Sequence, residues 1–528
     1  MSGRSVPEFP WGDDDTPVGS LLSRFARQHG DHVYCRFGDR DYSVSEIETT
    51  SNRLANALMR RGIGAGARVG VMLDHHPDHV LAFFALAKLG AVMVPLNVHL
   101  RGDSLEHLLR DGDLASLIVE ARLAQIVLPI VRKIPVGRVI WRGPPAEGDG
   151  EDLAALLTHI ESAPPAHAVA PDDLAVILYT SGTTGLPKGV LLSDRMVRIS
   201  ACAAGRMAGA RDRDVFLMWE PINHIGGLEV LVLATLFRIT LVMVERFSVS
   251  RFWPDARQHG VTQLHFLGGV LALLLKAEPR PDDREHRIRV AWGGGCPVSI
   301  WRAFEERFGI PVREGYGMTE CASFTTQNLT GKLGSVGPCL PYFEMRVADE
   351  QGRFLGSGKR GELWVRGKQP GVVTQGYWRN PAATAALFEG EWLKTGDIGW
   401  YDEDGDFFYS GRKKDSIRRR GENVAAFEVE RVLSDHPAIA ESAVIGVPNA
   451  LADEDIKAVV RLKTGETLDP LALVQWCESR LAYFQIPRYV SFVDSLPKTP
   501  SERIRKDALS RSTEDCWDLE RSGYKLRR

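Results

Sequence analysis

Leu178–Val190 reads Leu-Tyr-Thr-Ser-Gly-Thr-Thr-Gly-Leu-Pro-Lys-Gly-Val and combines three glycines, four aliphatic hydroxyls and one lysine directly after an apolar run. The run begins at Asp173 and predicts a buried strand. A glycine-rich loop that leaves a strand lets backbone N–H groups and hydroxyls surround an anion, while Lys188 supplies positive charge. The stretch therefore predicts a phosphate site, whose remaining members are Thr180, Ser181, Gly182, Thr183 and Thr184.

Two other interpretations of this stretch are less favoured. A flexible surface turn is the ordinary alternative for any cluster of glycine, serine and threonine, but here a single lysine closes the run and strands border it. The common nucleoside-triphosphate loop, G-x-x-x-x-G-K-[ST], does not fit, because Gly182 and Gly185 are too close together and Gly189 follows the lysine.

Length and composition describe a globular protein without a polyanionic partner. At 528 residues the chain is too long for one hydrophobic core, so it predicts two or more domains, and 44% hydrophobic residues are enough to fill their cores. A net charge of −3 gives no general attraction to nucleic acid or to an anionic membrane. Phosphate groups must therefore be held locally, and nucleic acid is not an expected partner.

Cysteine usage and apolar content bear on the compartment. Seven cysteines, an odd number, occur without C-x-x-C spacing, at positions 35, 202, 296, 321, 339, 477 and 516. This pattern favours reduced thiols over a disulfide framework or a zinc site and indicates the cytoplasm. Met1–Asp15 lacks the apolar core of a secretory signal and predicts a loose arm. Leu228–Val244, the most apolar region, is too short and too interrupted by charge to predict a transmembrane segment.

Alternating helices and apolar strands predict the fold of the first half of the chain. Ser43–Glu46 is a capping box that opens a helix, and Gly62 ends that helix. Arg68–Leu73 and Ala91–Pro95 predict buried strands on either side of an amphipathic helix, Pro77–Leu89. Unbroken apolar strands that alternate with helices predict a parallel sheet covered by helices on both faces.

The pattern changes after residue 340. Glu344–Ala348, Gly361–Gly367 and Asp406–Tyr409 are short strands set among turns, which predicts a smaller β-rich subdomain. The charged run Gly411–Asp415 then interrupts the apolar pattern, and beyond it strands and helices alternate again, with a helix predicted over 427–433 and a strand over 439–447. We therefore predict an α/β fold. A large N-terminal nucleotide-binding domain with parallel sheets, residues 1–413, precedes a small mobile α+β domain, residues 414–528.

A second stretch holds the remaining parts of a nucleotide site. Glu314–Glu320 reads Glu-Gly-Tyr-Gly-Met-Thr-Glu. Tyr316 offers an aromatic ring that can stack on a base, Thr319 a hydroxyl for a phosphate, and Glu320 a carboxylate for a hard cation. The alternative is that Glu320 only caps a helix.

Both stretches closely resemble the nucleotide motifs of the adenylate-forming superfamily, which includes acyl-CoA synthetases, luciferases and peptide-synthetase adenylation domains. The resemblance runs from about Leu21 to the end of the chain. It implies that Tyr316 lies on the adenine and that Thr319 reaches a phosphate. Glu320 would hold Mg²⁺ with Thr184, because magnesium prefers few carboxylates together with hydroxyl and phosphate oxygens. The same motif includes Gly315 and Gly317.

The resemblance assigns further nucleotide contacts. Asp397 stands on a tight turn, where the family's acid accepts both ribose hydroxyls, and Arg412 would be a second ribose contact. The walls of the family's acyl pocket match the stretch Leu264–Gly269 together with Gly294 and Gly295. These last two glycines also match a motif that touches the adenine. A structural role, close packing of the backbone, is the alternative for each of these glycines.

A cluster of basic residues follows the second ribose contact. The resemblance makes Lys414 the hinge of the small domain, places Arg418 at the nucleotide in the second half-reaction, and places the loop at Gly421 on the path of the pantetheine. Charge runs usually form solvated faces, and we expect Lys413, Arg419 and Arg420 to lie on such a face.

His224 precedes an apolar segment within Pro221–Gly227. A lone histidine beside apolar residues is more often a core residue, but the family has an aromatic residue or a histidine here, between the acyl pocket and the pantetheine tunnel. Relatives that activate amino acids usually have an aspartate near this point to hold the ammonium group. No acid stands between Pro221 and Gly227, although Glu220 lies just outside, so an amino acid substrate is disfavoured.

The chain departs from the family near its end. Most members have Ser-Gly-Lys there, and the lysine drives adenylation, whereas this chain has Ser501-Glu502-Arg503. Arg503 keeps the positive charge and can bridge a carboxylate and a phosphate, but a guanidinium is not interchangeable with an ammonium. We predict that Arg503 takes over the role of the lysine.

These observations predict an ATP-dependent acyl-CoA synthetase that resembles bacterial carnitine and fatty-acid CoA ligases. ATP, Mg²⁺, coenzyme A and a small carboxylic acid are its expected ligands, and the predicted catalytic residues are Lys188, His224, Glu320 and Arg503. Two alternatives stay open: an adenylating enzyme that loads an acyl carrier protein, and a catalytically silent binder of nucleotide or acyl adenylate. The sequence does not determine which acid is used, or whether the chain forms a homo-oligomer.

Overall fold

The structure of the protein is a computed structural model. It describes residues 15–144, 150–158, 160–180, 187–267, 269–413, 416–419, 422–449, 454–481, 483–499 and 503–526.

The described helices, in chain order, are α1 Val18–His29, α2 Val44–Met59, α3 Pro77–Leu89, α4 Gly102–Asp111, α5 Ala124–Val131, α6 Leu153–Leu156, α7 Asp194–Ala208, α8 Ile225–Leu236, α9 Val249–His259, α10 Val270–Lys276, α11 Val298–Phe308, α12 Pro381–Leu387, α13 Ala426–Ser434 and α14 Pro470–Glu478.

The described strands are β1 Val33–Phe37, β2 Arg40–Ser43, β3 Arg68–Met72, β4 Val92–Pro95, β5 Ser116–Glu120, β6 Arg138–Arg142, β7 Glu151–Asp152, β8 Leu174–Thr180, β9 Lys188–Ser193, β10 Val215–Met218, β11 Thr240–Met243, β12 Gln263–Leu267, β13 Val290–Gly294, β14 Val312–Tyr316, β15 Thr326–Asn328, β16 Phe343–Ala348, β17 Gly361–Gly367, β18 Phe388–Glu389, β19 Trp392–Tyr401, β20 Phe407–Arg412, β21 Ser416–Arg419, β22 Glu422–Ala425, β23 Ile439–Pro448, β24 Glu454–Leu462, β25 Tyr489–Phe492 and β26 Trp517–Asp518.

Two large sheets form the N-terminal part. The seven-stranded sheet has the order β7-β6-β5-β3-β4-β8-β9 and is parallel except for β9, which pairs antiparallel with β8. The eight-stranded sheet has the order β15-β14-β13-β12-β10-β11-β1-β2, with antiparallel pairs only at β15 and β2, its two edges. The prediction of parallel sheets is therefore confirmed.

Helices cover both faces of each large sheet, as the unbroken apolar strands predict. Along β4, Met93 packs into a central core with α1, α2, α3, α7 and α8, whereas Val92 and Val94 pack on the other face with α4 and α5. Along β11, Leu241 joins the same central core, and Val242 packs with α9, α10 and α11. A layer of five helices thus lies between the two sheets.

Local sequence signals mark the helix ends, although α2 ends at Met59, with Arg60 as its C-cap, before the predicted end at Gly62. Ser43 caps α2, with its hydroxyl accepting from the Glu46 N–H and the Glu46 carboxylate accepting from the Ser43 N–H. Helix α3 runs over Pro77–Leu89 as predicted, but it is buried on all sides and is not amphipathic, since only Asp78 is not buried. Gly90 ends it at a φ of 63°, a left-handed conformation that favours glycine.

The β-rich subdomain is an antiparallel sheet with the order β16-β17-β19-β18, and β20 also pairs with β19. Beyond it, the hairpin β21–β22 precedes the sheet β23-β24-β25-β26, and α13 and α14 share a core with that sheet. The Arg360 guanidinium, 2.5 Å from Glu428, links the two regions. Lys414 lies outside the described residues, so the domain boundary stays a prediction.

Arg419 corrects one expectation from the sequence. It is not part of a solvated face, since its side chain is only 2% exposed. Its guanidinium donates to the Ile486 carbonyl and lies 3.3 Å from Asp455. An arginine can be buried when backbone carbonyls and a carboxylate satisfy it, and the charge run in the sequence does not reveal those partners.

None of the helices in the described part of the chain combines the length and the apolar composition needed to cross a bilayer.

Candidate active site

Several of the predicted site residues that the structure describes lie at the carboxyl ends of the parallel strands, where open α/β sheets bind ligands. β13 ends at Gly294 and β14 at Tyr316, and Glu320 follows in a short 3₁₀ turn, Thr319–Cys321. Thr180 and Lys188 face each other as the last pair of the β8–β9 hairpin. The predicted phosphate loop closes this hairpin, but Ser181, Gly182, Thr183 and Thr184 lie outside the described residues.

Glu320 and Lys188 are joined through Tyr377, which the sequence did not single out. The Tyr377 hydroxyl donates to Oε1 of Glu320 at 2.8 Å, and Nζ of Lys188 lies 5.0 Å from the centroid of the Tyr377 ring. Burial raises the pKa of the Glu320 carboxyl, and the hydrogen bond from Tyr377 opposes this rise. A cation beside Glu320 would favour the charged carboxylate, so this buried acid fits a magnesium ligand.

Asp397 and Arg412, the two predicted ribose contacts, face each other on paired strands, β19 and β20. Nε of Arg412 lies 3.2 Å from Oδ1 of Asp397, and the hydroxyl of Tyr316 donates to Oδ2 at 2.7 Å. The Tyr316 ring also stacks on Tyr409, with centroids 5.9 Å apart and an angle of 27°. The side chains predicted for ribose and for adenine are therefore in direct contact.

The glycines beside Tyr316 serve close packing. A Cβ on Gly317 would lie 1.6 Å from the Ser323 carbonyl oxygen, and one on Gly315 would lie within 2.8 Å of three neighbouring atoms. Gly294 is different, since its Cβ would have only the Gly315 carbonyl oxygen nearby, at 3.1 Å. Gly294 is therefore less tightly packed than Gly315 and Gly317, but a Cβ there would still be close to a backbone oxygen.

Glu314, also missed from the sequence as a site residue, shapes the loop after β13. Its Oε1 accepts from the N–H groups of Gly295 at 2.9 Å and Cys296 at 3.1 Å. Gly295 has a φ of 97°, which favours glycine. Burial raises the pKa of Glu314 to about 8, against the effect of these two donors. The acid therefore holds the loop that was predicted to touch adenine.

His224 stands at the start of α8 as its N-cap. Nδ1 accepts from the Gly226 N–H at 3.1 Å, which leaves any proton of the neutral ring on Nε2. Burial lowers the pKa of His224 to about 3, and the nearby charge of Arg503 lowers it further. At neutral pH His224 is therefore uncharged and can donate from Nε2.

Glu220, the acid just outside Pro221–Gly227, forms a buried pair with a histidine near His224. Oε1 of Glu220 lies 2.7 Å from Nδ1 of His265, and both side chains are almost fully buried. His265 stacks on Trp292, with ring centroids 4.0 Å apart and an angle of 5°. Glu229, one turn into α8, is also buried, and burial raises its pKa well above the usual value. One acid is therefore engaged by a histidine, and the other favours its neutral form.

Arg503, from the C-terminal part of the chain, lies near Arg412, Asp397 and His224, and the region between these side chains, Lys188 and Glu320 is called the cleft below. Its backbone closes a turn with Thr499, where the Thr499 N–H donates to the Arg503 carbonyl at 2.7 Å. The residue is exposed to solvent, although enough protein lies near its guanidinium to desolvate it. This desolvation and the nearby charge of Arg412 lower its pKa, while Tyr409 and Asp397 oppose them. Another cation, Lys506, follows three residues later, and its ammonium lies 2.8 Å from Glu430.

Three positions predicted for the second half-reaction cannot be placed. Lys414 and Gly421 lie outside the described residues, and Arg418 lies on β21 with its side chain outside them. Their roles stay predictions.

Tyr377 was missed because a tyrosine has no chemical signature of its own in the sequence. The one available signal was its place between a β strand and the helix opened by Asn380.

Comparison with known proteins adds independent information. The model of the AMP-binding enzyme family matches residues 22–378, and the model of the AMP-binding enzyme C-terminal domain matches residues 428–503. Crotonobetaine/carnitine–CoA ligase of Salmonella paratyphi A is 33% identical over 486 residues, covering 89% of this chain and 93% of that protein. The same enzyme of Salmonella typhi is 32% identical with the same coverage.

Solved structures agree with this comparison. The anthranilate CoA ligase AuaEII, in complex with anthranoyl-AMP, has a TM-score of 0.86 at 25% identity, covering 93% of this chain and 96% of that one. ATP-bound MatB from Rhodopseudomonas palustris has a TM-score of 0.84 at 28% identity, with coverages of 93% and 98%. The predicted α/β architecture is therefore also that of these proteins.

Proposed function

The chain belongs to the AMP-binding enzyme family and is an AMP-forming acyl-CoA ligase, and we propose that it uses the cleft described above to activate a carboxylic acid other than an amino acid. The observation that carries this proposal is the meeting of Lys188, Glu320, Asp397, Arg412 and Arg503 around one cleft. ATP and coenzyme A are its co-substrates. The CoA ligases among its relatives favour coenzyme A over a carrier protein as the acceptor, and they disfavour a silent binder.

In the first step, the substrate carboxylate attacks the α-phosphate of ATP and pyrophosphate leaves. Asp397 and Arg412 hold the ribose, and Tyr316 bounds the adenine. Lys188 offsets the charge that builds up on the phosphates, and Arg503 bridges the carboxylate and the α-phosphate. Preorganised charges of this kind lower the barrier because they need no rearrangement during the reaction.

Glu320 and Thr184 would hold Mg²⁺. When bound, the ion supplies positive charge to the leaving pyrophosphate. The raised pKa of the buried Glu320 supports this assignment, since such a carboxyl gains most from a cation.

In the second step, the thiol of coenzyme A attacks the acyl carbonyl and AMP leaves. Neutral His224 lines the route of the thiol and can donate a hydrogen bond from Nε2. Arg418 and the loop at Gly421 would face the cleft in this step, after the C-terminal domain has turned about Lys414. The division into domains 1–413 and 414–528 belongs to this proposal, as does a cytoplasmic location.

The substrate is proposed to be a non-amino acid, with room for a bulky or cyclic acyl group. Support comes from the pairing of Glu220 with His265 and from the raised pKa of Glu229, because neither of these two acids offers a free carboxylate to an ammonium. Gly269 contributes open space, since nothing lies within 4 Å of a Cβ built there, whereas Gly293 is needed for packing, because a Cβ there would lie 1.8 Å from the Phe266 carbonyl oxygen.

A screen of carboxylic acids for AMP release tests this function. Fatty, aromatic and betaine acids and free amino acids are offered with ATP and Mg²⁺, first with coenzyme A and then with an acyl carrier protein. We expect AMP release with an acid and coenzyme A together. Free amino acids outperforming all other acids would contradict the substrate proposal, and a preference for the carrier protein would contradict the acceptor.

A further inference from the structure

Tyr377 lies on a segment that ties the phosphate-loop hairpin to the turn of Glu320. On one side, Trp378 N–H donates to the Gly189 carbonyl at 2.7 Å, and Leu191 N–H donates to the Gly376 carbonyl at 3.1 Å. On the other side, Thr374 N–H donates to the Glu320 carbonyl at 2.8 Å. The backbone of residues 374–378 therefore fixes the distance between β9, which starts at Lys188, and Glu320.

The Tyr377 side chain fills the space between these two charged groups. Its hydroxyl donates to Glu320, and the Lys188 ammonium lies over its ring, as described above. Among the residues that the structure describes, Lys188 forms no ion pair.

We propose that Tyr377 is a positioning residue that separates Lys188 from Glu320, so that the ammonium stays available for a phosphate and the carboxylate for a divalent cation. The proposal rests on the function proposed above, because it assigns those two ligands to Lys188 and Glu320. A lysine on a flexible stem beside a buried carboxylate would otherwise form an ion pair, which attracts strongly where water is excluded.

A tyrosine suits this separation for two reasons. Its ring attracts the ammonium through its π face without neutralising it. Its hydroxyl donates a hydrogen bond to one carboxylate oxygen. This bond orients the carboxyl group and leaves the other oxygen for the cation. A phenylalanine would supply only the first contact, and a leucine neither. These two substitutions therefore separate the two contacts.

The test measures ATP binding by calorimetry over a series of Mg²⁺ concentrations, together with acid-dependent pyrophosphate exchange. Tyr377→Phe should raise the Mg²⁺ concentration needed for half-maximal ATP binding about tenfold, the loss expected for one hydrogen bond to a charged group. The KM for the acid should not change. Tyr524→Phe is the matched control, since the Tyr524 hydroxyl donates to Glu478 at 2.7 Å far from the cleft, and it should behave as wild type.

Tyr377→Leu should weaken ATP binding at saturating Mg²⁺ by a further tenfold or more, because Lys188 can then pair with Glu320. The same substitution in a Lys188→Met background should cost little extra, since no ammonium remains to form the pair. A double-mutant cycle of this kind isolates the coupling between the two residues.

Two results would overturn the proposal. One is an unchanged Mg²⁺ requirement in Tyr377→Phe, a variant that removes a single oxygen atom. The other is an equal loss from Tyr377→Leu with and without Lys188, which would mean that Tyr377 only fills space. If the wild-type protein exchanges pyrophosphate with no acid at all, the proposed function is wrong, whereas the ATP titrations still decide the role of Tyr377.

Discussion

Replacement of Arg503 by alanine is the sharpest test of the proposed first step. Arg503 stands where most of the family has a lysine, and it reaches the cleft from the C-terminal part of the chain, near Asp397, Arg412 and His224. A cation there is useful only while it can touch the substrate carboxylate and the α-phosphate together. Removing it should therefore affect adenylation and spare the later transfer to coenzyme A.

The size of the effect follows from the surroundings of Arg503. Enough protein lies near the guanidinium to desolvate it, and this desolvation and Arg412 lower its pKa, yet an arginine keeps its charge at neutral pH. Loss of one such preorganised donor costs about a hundredfold in rate, or about 3 kcal/mol. Arg503→Lys should lose much less, because the charge remains and only the fork geometry is lost.

The assay separates the two half-reactions. Arg503→Ala should fail in acid-dependent pyrophosphate exchange but should still convert supplied acyl adenylate and coenzyme A to thioester. Arg505→Ala is the matched control, because Arg505 is an exposed arginine two residues away whose guanidinium lies 2.8 Å from Asp507. It should retain both activities.

Normal pyrophosphate exchange by Arg503→Ala would refute this reasoning. Lys506 would then be the next cation to test, although its position 2.8 Å from Glu430 argues against it. Equal loss of exchange and of thioester formation would also contradict the assignment, since it would mean that Arg503 acts in both steps.

Three further predictions concern the metal, the hinge and the loop after β13. Glu320→Gln should abolish turnover while ATP binding weakens less, because one ligand charge is lost and the shape is kept; full activity at ordinary Mg²⁺ would reject the metal role. Lys414→Pro fixes φ at the predicted hinge, so the variant should form acyl adenylate but release little thioester, and equal loss of both would indicate unfolding. The pKa of Glu314, about 8 against an ordinary 4.5, means that folding takes up a proton, so stability is full below pH 4.5 and falls as pH rises towards 8. Glu314→Gln should remove a cost on the order of 3 kcal/mol at pH 7, and urea unfolding that shows the same pH slope in both proteins would contradict this.

The sequence predicted the elements of the fold well where local chemistry defines them. The capping box at Ser43, the proline at the start of α3 and Gly90 at its end act within one or two turns, so a single stretch contains the signal. Apolar strands also predicted their own burial, because a strand covered on both faces must be apolar throughout. The prediction that Arg419 lies on a solvated face was wrong, because its partners, Ile486 and Asp455, are far away along the chain.

The motifs at Lys188, Tyr316, Glu320 and Asp397 were readable from the sequence, because each requires particular residue types at a fixed spacing. Tyr377, Glu314 and the pair of Glu220 with His265 were not. Each of these three acts through a contact with another element or another loop, and none has an unusual local pattern. The tertiary structure alone decided that a tyrosine stands between Lys188 and Glu320, and that an arginine from the C-terminal part meets the nucleotide side chains. Hydrogen bonds and charge interactions depend on distances in space, and such distances between remote residues exist only once the chain is folded.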